Sequence, residues 1–131
     1  MRKEFALPEE DTEYLESTGL EWECINDGRH KWLLVHSFPV PDGYNVNEVS
    51  VALRIDPGYP ISQIDMAYLF PALILTNGKN IAALASQPID GRIWQRWSRH
   101  RTGQNPWRSG IDNISTHLQL VTHWFERELI K

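Results

Sequence analysis

EVSVALRIDPGYP, residues 48–60, sets Val49, Val51, Leu53 and Ile55 at every second position, with polar or small residues between them. Side chains alternate between the two faces of a strand, so this period of two predicts a β-strand with one buried face. Pro57, Gly58 and Pro60 then end it, since proline cannot donate to a sheet ladder and both residue types favour turns. Upstream, Pro39, Pro41 and Gly43 separate this strand from HKWLLVHSF (30–38), and Asp27-Gly28 separates that run from residues 22–26. Two β-rich runs around an Asp-Gly pair predict a hairpin. Before them, Pro8 suits the first turn of a helix, Glu9, Glu10 and Asp11 suit its positive N-terminus, and Gly19 suits its end. A first helix is therefore expected over residues 8–18.

Downstream, IDMAYLFPALIL (64–75) is a fourth strand run, which Pro71 should end or bulge. Residues 76–110 show little regular pattern, and so long a stretch without it predicts an irregular segment given over to function. Regularity returns after Asp112 or Asn113, either of which suits a helix cap. Ile111, Ile114, Leu118, Val121, Phe125 and Leu129 recur there at steps of three and four. The order is helix, four antiparallel strands, irregular segment, helix, which is an α+β fold. A chain of 131 residues has room for one such core and not two, so residues 1–131 are expected to form one domain.

Hydrophobic residues make up 41% and charged residues 23%, a globular balance that argues against disorder. No window approaches the roughly 20 apolar residues of a membrane helix, and MRKEFALPEEDTEY lacks the apolar run of a secretory signal. A cytoplasmic protein is expected. One cysteine, Cys24, excludes an internal disulfide, a multi-cysteine zinc site and a CxxC pair. The net charge of −4 is unevenly spread: residues 1–27 hold nine acids against Arg2 and Lys3, whereas residues 92–108 hold five arginines, His100 and no acid. Trp94, Trp97 and Trp107 lie in that basic stretch. Such segregation points to a partner or to an internal surface.

This order of elements resembles the ubiquitin-conjugating (UBC-like) fold, in which a helix, a four-stranded meander, an extended active-site segment and a crossing helix follow one another. Pro57-Gly58-Tyr59-Pro60 resembles the turn after that fold's third strand, and Asp90-Gly91-Arg92-Ile93-Trp94 its active-site segment. Asn105-Pro106-Trp107 resembles the approach to the crossing helix. LPEEDTEYLE, DGYNVNEVSVALRIDPGYP, QIDMAYLFP and DGRIWQRWSRHRTGQNPW are similar, more narrowly, to the prokaryotic family E of ubiquitin-conjugating-like proteins. The resemblance covers the whole chain. It implies a bacterial pathway with a ubiquitin-like modifier, an activating enzyme and a protein target as partners, and an acidic first helix that docks the activating enzyme.

The resemblance also marks a departure. Conjugating enzymes carry the modifier as a thioester on cysteine, and the aligned position here is Trp94, whose indole cannot form one. The upstream His-Pro-Asn is absent as well, the stretch reading LTNGKNIAALASQP. Cys24 shares a strand face with Trp22 and is expected in the core. Ser98 is the alternative nucleophile, with His100 as base and Arg96, Arg99 and Arg101, beside Trp94 and Trp97, binding the modifier tail or the oxyanion. Ser86 is a second-choice nucleophile with no base evident beside it. The plainer readings are that Ser98 caps a turn and that the arginines pair with the acidic first helix.

Two functions stay open: a conjugating enzyme that forms a serine oxyester, or an inactive adaptor that binds modifier and activating enzyme. A single-strand nucleic-acid groove has the same arginine and tryptophan composition, but an acidic chain lacks the broad positive footprint such binding needs. No metal is expected. His30 and His36 lie about 20 Å apart along a strand, and His117 and His123 fall on different faces of a helix. No cofactor is expected either.

Overall fold

The computed structural model describes residues 1–131. Helix α1 (Glu9–Ser17) starts after Pro8, carries Glu9, Glu10 and Asp11 in its first turn and is followed by Gly19 at φ +74°, a left-handed conformation that favours glycine. Strands β1 (Trp22–Asp27), β2 (His30–Pro39), β3 (Glu48–Ile55) and β4 (Ala67–Phe70) follow side by side, each antiparallel to the next. In β3, Val49, Val51, Leu53 and Ile55 are all buried. Strand β4 stops at Phe70, one residue before Pro71.

The sheet has six strands, not the expected four, and residues 76–110 are not irregular throughout. They contain β5 (Leu84–Ile89) and β6 (Arg92–Trp97), paired with each other as a hairpin. Asp90 (φ 53°) and Gly91 (φ 76°) make its two-residue turn with both φ positive, a hairpin conformation that Asp-Gly favours. Strand β6 pairs with β4, giving the order β1-β2-β3-β4-β6-β5. Edge position is what lets β5 tolerate Pro88.

Helix α2 (Ile114–Leu129) is capped by Asn113, whose side chain accepts from Thr116 N–H while the Thr116 hydroxyl accepts from Asn113 N–H. Its Ile114, Leu118, Val121 and Phe125 pack in one core with Leu33, Val51, Leu69 and Trp97. The opposite sheet face has a smaller core of Ile25, Trp32, Leu34, Ala52, Tyr68, Ile89 and Trp94. In a flat sheet the two edge strands would stand about 24 Å apart, five strand spacings. Yet Asp90 N–H donates to Asp27 Oδ2 at 2.8 Å. The sheet is therefore curled, and the tip of the β5–β6 hairpin closes over the smaller core, where Ile89 is fully buried. Arg2 fastens that closure, reaching Asp90 with both terminal nitrogens at 3.0 and 2.6 Å. The residues around Arg2 also lie along the outer edge of β1, with Cys24 N–H donating to Arg2 O and Glu4 N–H to Cys24 O.

The turn after β3 joins the two helices. Tyr59 donates its hydroxyl to Asp11 Oδ2 at 2.6 Å, and Ile114 N–H, at the start of α2, donates to both Asp11 Oδ1 (3.2 Å) and Tyr59 Oη (3.0 Å). Trp107 covers this turn, its indole N–H donating to Pro60 O at 3.0 Å. Asp11 is 1% exposed, and its burial raises the carboxyl pKa against the pull of these hydrogen bonds. Replacing Asp11 with alanine strands the Tyr59 hydroxyl and takes away one of the two acceptors of Ile114 N–H, at about 1–3 kcal/mol. Urea unfolding is expected to show that loss for Asp11→Ala and a smaller one for Asp11→Asn, which keeps an acceptor.

Candidate functional site

Strand β6 alternates faces, and that alternation disperses the arginine- and tryptophan-rich phrase. Trp97 is fully buried in the main core, edge-on to Phe125 with ring centroids 5.4 Å apart. Trp94 is 3% exposed and lies in the smaller core, 5.7 Å from the Phe70 ring. Its indole N–H donates to Ile89 O. The expectation that Trp94 and Trp97 present a surface to a modifier is corrected by this burial: both are core residues. Arg96 shares the Trp94 side of the strand, close enough to the Tyr68 hydroxyl to favour its ionised form, though burial dominates and raises that pKa.

Arg99 and Arg101 do not share a groove with Arg96. The Arg99 guanidinium lies 5.0 Å from the Trp97 ring centroid and donates to Ala82 O and to Glu128 Oε1, the latter at 2.8 Å. Glu128 receives Lys131 on the same oxygen at 2.7 Å. Burial disfavours the Glu128 charge, but these two hydrogen bonds outweigh it and hold the carboxyl below its ordinary range. Arg101 is buried against Trp107, 4.8 Å from the ring centroid, with Asp112 at 3.7 Å. Its Nε and one terminal nitrogen have no partner. The expectation that these arginines pair with the acidic first helix is also corrected: their carboxylates come from α2 and from Asp112, just before its cap.

Ser98 immediately follows β6. Its N–H donates to Ala83 O at 3.0 Å, closing the base of the hairpin, and the residue is half-buried. Its carbonyl, rather than its hydroxyl, receives Arg99. His100 is largely exposed, and its Nδ1 lies 2.9 Å from Asp65 Oδ2. A carboxylate only accepts, so in this pair Nδ1 carries the proton and Nε2 of the neutral ring is the basic nitrogen. Arg99, His100, Trp124, Arg127, Glu128 and Lys131 line a cavity of about 140 Å³, and Ser98 is not among its lining residues. Three permanent cations there face one carboxylate, which suits an anionic group.

Ser86 lies on β5 and lines a cavity of about 340 Å³ whose other walls are mainly apolar, among them Leu84, Ile93 and Trp94. The only thiol is remote from all of this. Cys24 is 1% exposed in the main core, where burial pushes its pKa up to about 11 despite Lys3 nearby. No three His, Cys, Asp or Glu side chains gather as a metal site, and no helix is long and apolar enough to cross a membrane. Asp65 and Glu128 escaped the sequence reading. They reach His100 and Arg99 across 35 and 29 residues respectively, and no local spacing announces a pair that distant.

An antiparallel sheet with two helices, a Pro-Gly-Tyr-Pro turn beneath a tryptophan and a segment leading into the closing helix agree with the ubiquitin-conjugating-like class of proteins. Residues 7–128 match Prokaryotic E2 family E, and the chain belongs to that family. No curated protein and no solved structure matches it. Membership supports a ubiquitin-conjugation-like role and implies interaction with a modifier and an activating enzyme.

Proposed function

We propose that the protein accepts a ubiquitin-like modifier from its activating enzyme in a bacterial pathway and carries it as an oxyester on Ser98. The observation that carries this reading is the contrast between the two nucleophiles. The thiol is sealed in the core with a raised pKa, whereas Ser98 is half-buried and directly precedes Arg99 and His100, which line a cation-rich cavity. In this proposal the Ser98 hydroxyl attacks the activated C-terminal carbonyl of the modifier, His100 takes the hydroxyl proton, and the leaving group departs to the activating enzyme. Asp65 holds the His100 tautomer that leaves Nε2 basic. Arg99 lies at the cavity that would receive the tail; Arg96 and Arg101 act on the surrounding charge from behind it, and Ser86 is the second-choice acceptor.

The test combines the protein with its activating enzyme, modifier and ATP. An adduct that survives thiol reductant, is cleaved by hydroxylamine, is lost in Ser98→Ala and persists in Cys24→Ala is the expected result. Loss in Ser86→Ala alone would move the acceptor to that residue. The absence of any adduct, with binding to both partners retained, supports the adaptor reading. Pairing of Arg99 with Glu128 at 2.8 Å favours that second reading, because it leaves one cation fewer free for an oxyanion.

A further inference from the structure

Glu23, His36 and Ser50 come from β1, β2 and β3 and meet on the smaller-core side of the sheet. Glu23 Oε2 lies 2.8 Å from His36 Nε2, and His36 Nδ1 lies 2.8 Å from Ser50 Oγ. The other Glu23 oxygen receives Arg2 Nε at 2.9 Å. That arginine bond, against the opposing effect of burial and with help from His36, holds the Glu23 carboxyl at about 2. Glu23 is thus a carboxylate near neutral pH and accepts only, so Nε2 carries the proton in its contact with His36. In the neutral ring Nδ1 is then the acceptor, and the Ser50 hydroxyl donates to it.

The backbone is built around this contact. The register of β2 against β3 shifts between Val35 and Phe38, and Ser37 has φ 55°. A bulge of this kind re-aims side chains locally. His36 N–H donates to Glu21 O at 2.9 Å, fixing the residue between its neighbours. The His36 side chain is 25% exposed and Glu23 12%, with Ser50 half-buried, so nucleophile and base reach solvent while the carboxylate lies deeper. Ser50 pairs with Phe70, and the Arg92 guanidinium lies 4.9 Å from the centroid of that ring. Arg92 is exposed and forms no salt bridge.

A serine hydroxyl bonded to an imidazole nitrogen whose partner nitrogen is held by a carboxylate is the arrangement that activates serine for acyl transfer. The two ring nitrogens are exchanged here relative to the serine protease triad, but either nitrogen of imidazole can take a proton. We infer that Ser50 is a nucleophilic serine that accepts acyl groups from activated carboxyl compounds, thioesters and active esters, with His36 as its base and Glu23 as the residue that positions His36. The hydroxyl oxygen bonds to the acyl carbon, its proton passes to His36 Nδ1, and the bond to the leaving group breaks with its electron pair. The thiolate or phenolate that departs takes up a proton from His36 or from solvent, and Ser50 is left as an ester.

This inference does not depend on the modifier reading, because its probe is small and needs no protein partner. The full chain is treated with p-nitrophenyl acetate at about pH 8, where an ordinary imidazole is neutral. Nitrophenolate release is followed, and the acetyl group is located by peptide mass spectrometry. Acetyl on Ser50 of the wild-type protein is the expected result. Release at that site should fall on the order of 100-fold in Ser50→Ala and in His36→Ala, with free imidazole restoring the second. Glu23→Gln is expected to slow it and Glu23→Asp to recover part of the rate. Circular dichroism checks that each variant stays folded. Acetyl found only on lysines, on Ser98 or on the N-terminal amine overturns the inference, as does a folded His36→Ala protein that labels Ser50 at the wild-type rate.

Discussion

Trp97→Ala is expected to destabilise the protein by about 3–5 kcal/mol, the usual range for truncating a large buried aromatic. Trp97 has no exposed surface, packs edge-on against Phe125 and lies 6.4 Å from the Tyr44 ring. Its indole N–H donates to Gln95 Oε1, which also receives Leu73 N–H. Alanine therefore leaves a cavity at the junction of β6 and α2 and removes a donor from the half-buried Gln95 amide. For a chain of this length the loss corresponds to a fall in Tm of roughly 11–18 °C. The same substitution discriminates between the two placements of this residue. Were Trp97 a surface contact for a modifier, binding would weaken and Tm would barely move; a Tm within about 2 °C of wild type would overturn the core assignment.

A second large effect is set by pH. His117 is completely buried; its Nε2 reaches Met66 O at 2.9 Å and its Nδ1 has no partner. Burial lowers its pKa to about 4, and nearby Arg101 adds to the effect. In the unfolded chain the ring takes up a proton near pH 6.5, so between 6.5 and 4 the unfolded state binds more protons than the folded one. Stability is therefore full above pH 6.5 and falls as pH drops, by about 3 kcal/mol once pH is below 4. Glu23, held at about 2, removes a further contribution as pH falls from 4.5 through 2. Urea melts at pH 7, 5.5 and 4.5 measure the first of these. His117→Gln, which keeps a donor for Met66 O, is expected to flatten the slope over that interval. Equal wild-type stability at pH 7 and 4.5 sinks the assignment.

The parts of the fold legible in the sequence are those with one buried face. Val49 to Ile55 alternate because one side of β3 faces the α2 core, and Ile114 to Phe125 repeat at helical steps because α2 has one apolar stripe. Strand β6 hid itself for the opposite reason. Trp97 points into one core and Trp94 into the other, so apolar residues occur on both faces and the period of two is lost. Pro88 and the polar Ser86-Gln87 blurred β5, leaving Asp90-Gly91 as the one local sign of the hairpin. The arginine-rich phrase resembles a single surface only along the chain, because alternation in β6 separates in space charges that are adjacent in sequence. Their partners Glu128 and Asp112 lie beyond it, and a pairing over that separation leaves no trace in local spacing. The Glu23, His36 and Ser50 cluster was invisible for the same reason, since it depends on the register of three strands.

The curling of the sheet also governs how the molecule avoids its own copies. A six-stranded antiparallel sheet presents two edges with unpaired backbone groups, and such edges recruit further strands and promote aggregation. At one edge, residues around Arg2 pair with Cys24 and occupy the outer side of β1. At the other, β5 is short and carries Pro88, which has no N–H to offer an incoming chain. Arg2 serves both ends of this arrangement, since the side chain that clamps Asp90 belongs to the segment whose backbone screens β1. One arginine thus ties closure of the smaller core to colloidal behaviour.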